Sequence, residues 1–137
     1  MKCFTSVALA LLIVVLVPEL AAEDTHSIPA EKVDSGAIFW GDASGFAKPA
    51  YVDYKALIAS TPEYKEMKKK KLSSSDPASW ILMSKAADRV ASAINEVAKD
   101  TGYDLICEKQ YWTKLKLGVR APDITRLVRA KIAQEEK

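Results

Sequence analysis

The sequence is short of the residues that most catalytic and metal chemistries require. One His and two Cys among 137 residues leave few ligands for a zinc-type site, and neither H-E-x-x-H nor C-x-x-C occurs. G-x-G-x-x-G and P-loop patterns are missing as well, so dinucleotide and nucleotide mechanisms lack their usual carriers. Five Gly and six Pro are too few for a collagen-like or low-complexity chain. Twenty Lys plus Arg against eighteen Asp plus Glu give a net charge of +2, far from the concentrated positive charge of a protein that neutralises many phosphates. The sequence therefore points away from an enzyme, and neither a cofactor nor a nucleic-acid partner is expected.

What is present suits one small globular domain, with 49% hydrophobic and 28% charged residues. Lys2 and the unbroken apolar run from Val7 to Val17, followed by Pro18, Glu19 and then Leu20-Ala21-Ala22, read as a secretory signal peptide over residues 1–22, cleaved after Ala22. Eleven residues at a rise of about 1.5 Å reach only about half of a roughly 30 Å hydrocarbon core, so a membrane anchor fits less well. Cys3 lies ahead of the run and leaves with the peptide. Cys107 is then the single Cys of the exported part, so an internal disulfide is ruled out and a buried structural thiol is the ordinary reading.

Residues 23–49 are expected to be flexible or irregular, polar at first and then rich in Gly and aromatics. Residues 50–58 (AYVDYKALI) alternate as a short strand running into a turn. Thr61-Pro62-Glu63 starts a helix, with a hydroxyl cap, Pro at the first helical position and an acid in the first turn. Ser73-Ser74-Ser75-Asp76-Pro77 breaks it and starts a second helix, about Pro77 to Thr101. That helix carries Trp80, Ala87, Ile94 and Thr101 seven apart, with Met83, Val90 and Val97 interleaved, and Gly102 ends it. A helical hairpin over 62–101 follows. Residues 103–108 (YDLICE) predict a strand, and 112–117 (WTKLKL) a second one, paired through residues 109–111. Pro122-Asp123 opens a last helix with Ile124, Leu127, Val128 and Ile132 on one face. The class is α+β: a small β-sheet or barrel body, a projecting helical hairpin with short coiled-coil-like arms, and a C-terminal helix.

Three segments of this order, AYVDYKALIASTPEYKEM, INEVAKDTGYDLICEK and APDITRLVRAKI, resemble the Skp/OmpH family of periplasmic chaperones. The matching positions are Val52 and Asp53, Thr61 and Pro62, Gly102 to Ile106, and Asp123 to Thr125. The resemblance implies an OmpH-like domain over 50–137, a homotrimer in the periplasm, and ATP-independent holding of unfolded outer-membrane or envelope proteins. The chain departs from the family in arm length. Some forty residues between Thr61 and Gly102 must supply both arms, and a first arm of about ten residues spans only about 15 Å, too short to enclose a client. An oligomeric docking protein of the envelope that has lost client caging is the alternative.

Two groups near the hairpin tip are the candidate binding residues. Trp80, Ile81 and Met83 could form a greasy client-contact patch, or simply pack inside the hairpin or between subunits. Lys65 and Lys68, Lys69, Lys70 and Lys71 could attract acidic partners or an anionic surface such as phospholipid or lipopolysaccharide, against the plainer reading of a solvated helix C-terminus. Lys109, Lys114, Lys116 and Arg120 could make one strand face basic, and Asp53, Asp104 and Asp123 could converge as paired acids. His26 has no triad partners at a recognisable spacing.

Overall fold

A computed structural model describes residues 24–136; the expected signal peptide lies outside the described residues. The class is α+β. Strands β1 (Ile38–Gly41), β2 (Pro49–Val52) and β3 (Leu105–Glu108) form one sheet, and helices α1 (Tyr54–Ser60), α2 (Pro62–Lys69), α3 (Pro77–Thr101), α4 (Lys109–Leu115) and α5 (Thr125–Glu135) surround it.

β3 is the central strand, antiparallel to β1 and parallel to β2, with Val52 opposite Glu108 and Ile38 opposite Cys107. Leu105, Ile106 and Cys107 are all fully buried, the continuous apolar run expected of a strand covered on both faces. The outer edge of β2 is closed by the segment before α5: the Tyr51 N–H donates to Pro122 O at 3.1 Å, and the Ile124 N–H donates to Tyr51 O at 3.0 Å. At Gly41 on β1, φ is +92° and an added Cβ would lie 1.9 Å from Asp104 O, so this close strand approach admits only glycine.

The helices start and stop where local chemistry places them. Thr61 closes α1 and caps α2 at once, its hydroxyl donating to Ile58 O at 2.6 Å and accepting from the Tyr64 N–H at 3.2 Å. Pro62 follows at the first helical position, so the missing N–H costs no bond. α3 begins at Pro77 and ends on Gly102 at φ +79°, the left-handed cap expected of it. Its Val90, Ala93, Ile94 and Val97 are buried in the main core with Val52 and Ile106 of the sheet, Leu57 of α1, and Val128 and Ile132 of α5.

Three sequence expectations are corrected. Residues 24–49, expected to be flexible or irregular, supply β1 and a second small core in which Ile28 and Phe46 bury against Leu105 and Leu115. Residues 54–60, expected as the end of a strand and a turn, form α1, because the Asp53 carboxylate caps it by accepting from the Ala56 N–H at 3.1 Å. Residues 109–115, expected to turn a hairpin into a second strand, form α4. There the Glu108 carboxylate accepts from the Gln110 and Tyr111 N–H groups at 2.6 and 3.1 Å, and Trp112 meets Phe46 edge-on with ring centroids 6.1 Å apart. A side-chain cap and an aromatic partner from residue 46 override the Lys/Leu alternation.

Candidate functional site

The helical pair α2 and α3 carries both groups of sequence-predicted binding residues at one end. The two helices run antiparallel. At their base the Arg89 guanidinium straddles the Glu63 carboxylate, with Nε at 3.0 Å from both oxygens and Nη2 at 2.7 Å from Oε1. That guanidinium holds the Glu63 carboxyl below its ordinary value. Arg89 also reaches Glu135 at 3.8 Å, which marks where the end of α5 meets α3. Toward the other end of the pair the contacts thin: Ser79 is buried against Met67, its hydroxyl donating to the sulfur at 3.1 Å.

Trp80, Ile81 and Met83 lie on the first turns of α3, beyond Arg89. They are 65%, 58% and 36% exposed, so they do not pack inside the hairpin as the heptad-like spacing of Trp80 and Met83 allowed. The buried positions on this stretch are Ser79 and Ala86, a different strip of the helix. Trp80 is nonetheless ordered at its polar edge, Nε1–H donating to Ser74 O at 2.5 Å, which leaves the ring available to a partner.

Lys65 lies in the middle of α2, Lys68 and Lys69 in its last turn, and Lys70 and Lys71 just after it, all exposed. Lys70 pairs with Glu66 at 2.6 Å, four residues back. Lys68 sits over the Tyr64 ring, 5.4 Å from its centroid. Lys71 closes the helix at φ +53°. The cations therefore ring the same end of the helical pair that exposes Trp80, Ile81 and Met83. Cations at a helix C-terminus also offset its dipole, so the cluster serves α2 whether or not it serves a partner.

The three candidate acids do not converge. Asp53 caps α1. Asp104, at the opposite end of the parallel pair β2–β3, accepts from the Ala47 and Lys48 N–H groups at 2.7 Å each. Asp123 accepts from the Thr125 N–H at 3.0 Å and from its hydroxyl; burial pushes its carboxyl up, and these two bonds outweigh burial to leave it below its ordinary value. Asp53 and Asp123 hold the backbone that follows each of them, and Asp104 ties the distant residues 47 and 48 to the start of β3.

Cys107 is fully buried with its thiol pushed up to about 12, first by burial and then by the Glu108 charge, so it stays protonated and unreactive. His26 pairs with Phe46 through backbone bonds of 2.7 and 2.9 Å and its ring lies 6.0 Å from the phenyl, a packing role. Among the described residues no group of three or more His, Cys, Asp and Glu could hold a metal ion, and no helix is long and apolar enough to cross a membrane.

The sequence reading missed one arrangement. Lys109, Lys114 and Lys116 share no strand face. They line a cavity of about 480 Å³ together with Asp53 and Glu108, at the carboxyl ends of β2 and β3. The available signal was the pair of caps: Asp53 and Glu108 each end a short apolar strand and each start a helix. Comparison of the chain with protein-family models, with curated proteins and with solved structures finds no match in any of the three.

Proposed function

We propose that this protein is an ATP-independent binding module of the bacterial periplasm that holds unfolded outer-membrane or envelope polypeptides, acting as a homotrimer as its resemblance to the Skp/OmpH family implies. The observation that carries this reading is the tip of the helical pair, where three large apolar side chains stand in solvent beside five lysines. Unfolded chains offer apolar segments and carboxylates together, and such a tip meets both. Exposed Trp and Met suit promiscuous contact because one brings a large rigid surface and the other an adaptable one.

The test is suppression of aggregation of an unfolded outer-membrane protein by stoichiometric excess of the purified chain, with anionic phospholipid vesicles as the competing surface. Delayed aggregation that Trp80→Ala and Met83→Ala weaken supports the reading. Undelayed aggregation overturns it, and tight vesicle binding by the same tip without client holding assigns the tip to a lipid or lipopolysaccharide surface instead.

One observation favours the alternative of a docking protein without client caging. α2 has eight residues and spans about 12 Å, and α5 lies against the C-terminal half of α3, so little helix stands clear of the body. Capture of one dominant folded partner from an envelope extract, instead of a spread of unfolded proteins, would establish that alternative.

A further inference from the structure

Away from the tip, β2 and β3 run parallel and the chain leaves each of them directly into a helix. The space between these two exits is the cavity of about 480 Å³, and it adjoins a second of about 510 Å³; the two share Glu108, Gln110 and Lys114 as walls. Volumes of this size suit small ligands or a few residues of peptide.

The two cavities differ in chemistry. The first is lined by Lys109, Lys114 and Lys116, and none of the ion pairs among the described residues involves them. The carboxylates beside them are already engaged: Glu108 Oε2 takes two helix N–H groups and Asp53 Oδ1 takes one. Lys109 attracts the Asp123 carboxylate, whereas Lys114 and Lys116 face only carboxylates that backbone N–H groups already hold in place, so an anion is favoured at these two lysines. The second cavity has an aromatic wall, Phe39 stacked on Tyr54 with centroids 4.9 Å apart and planes 21° apart. Tyr111 is fixed beside it, donating to Lys32 O at 2.8 Å and accepting from the Asp34 N–H at 3.2 Å.

Lys116 closes α4 at φ +48°, in the left-handed region where glycine is cheaper by about 1 kcal/mol. Lys71 has a similar angle after α2, so the angle alone assigns no use; Lys116 differs in lining the cavity.

We propose that the paired cavities form a binding site for an anion joined to an aromatic group, the anion between Lys114 and Lys116 and the ring against Phe39 and Tyr54. Two sources supply that chemistry, a small aromatic acid and a polypeptide that ends in an aromatic residue with a free carboxylate. The site shares no residue with the tip, so it stands or falls separately from client holding.

The experiment is an NMR titration of ¹⁵N-labelled protein carrying residues 23–137, which include every element of the fold. The probes are N-acetylphenylalanine, N-acetylphenylalanine amide, and a peptide ending in Phe with a free carboxylate. The acids give saturable shifts at the amides of Gln110, Thr113 and Lys114, and the amide binds about tenfold more weakly because it forfeits the charge-assisted contacts. Tighter binding of the peptide than of N-acetylphenylalanine identifies a chain terminus as the source, and the reverse order identifies a small acid. Lys116→Gly keeps or raises the unfolding midpoint by relieving the left-handed lysine, yet weakens acid binding about tenfold, as does Lys114→Gln. Unsaturable shifts, equal binding of acid and amide, or unchanged affinity in both lysine variants overturns the proposal.

Discussion

The two halves of α3 have nearly the same kind of sequence and opposite fates. From Ala86 to Ala98 its apolar strip is buried against the sheet, α1 and α5, with Val90, Ala93 and Ile94 fully covered. From Pro77 to Lys85 the neighbouring helix is α2 alone, eight residues long with none of them buried, and Trp80, Ile81 and Met83 face solvent. An apolar periodicity says that a helix can bury a face; whether anything covers that face depends on what the rest of the chain brings there. Here the covering ends where α5 ends, at the Arg89–Glu135 contact.

Substitutions along the helix sharpen this contrast. The largest effect belongs to the covered half: Ile94→Ala should cost about 2–5 kcal/mol, the transfer term plus a cavity in a packed core, measured by urea unfolding. At the helix end, Gly102→Ala should cost about 1 kcal/mol by the same measurement. The added Cβ meets no atom within 4 Å, so the penalty is purely that of φ +79° for a residue with a side chain.

At the boundary between the halves, Glu63→Gln should cost about 1 kcal/mol near neutral pH by loosening the two-point contact with Arg89. The sign with pH follows from the lowered Glu63 carboxyl. Its contribution is present above the ordinary carboxylate value and disappears as pH falls through the lower folded-state value, so wild type and variant should converge in acid unfolding curves. Curves that stay parallel down to acid pH would show that the contact does not hold α2 in place.

The smallest stability effect is expected in the uncovered half. Trp80→Ala and Met83→Ala should each change unfolding free energy by no more than about 1 kcal/mol, because Trp80 is 65% exposed and tied by one indole hydrogen bond, and Met83, 36% exposed, is only partly covered. A cost comparable to that of Ile94→Ala would mean that the first turns of α3 are covered in solution, as they would be between subunits of an assembly, and the contrast between the halves would then break.

Legibility followed the range of the interactions. The limits of α3 could be read from Asp76-Pro77 and Gly102, and β3 from Leu105-Ile106-Cys107, because caps, proline and β-rich runs act within a few residues. α4 could not be read that way. Its Lys114-Leu115-Lys116-Leu117 stretch alternates like a strand, and the partners that make it a helix are the Glu108 cap and Phe46, the latter more than sixty residues away. α1 was hidden similarly by the alternation of Val52, Tyr54 and Ala56. The residues of the tip could be named from the sequence, but their exposure was not contained in their spacing. The lysines of the cleft were visible as a group, whereas their meeting with Asp53 depends on β2 pairing with β3.

The sequence by itself determined where the long helix begins and ends, where the central strand lies, that the chain is α+β, and that Cys107 has no cysteine partner in the described residues, since these rest on local hydrogen bonding and composition. The tertiary structure alone decided which faces are covered, that residues 24–49 close a second core, that β1 pairs with β3, and that two helix starts meet over one cavity. Burial and strand pairing join residues far apart in the chain, and no short-range pattern encodes which distant segment will arrive.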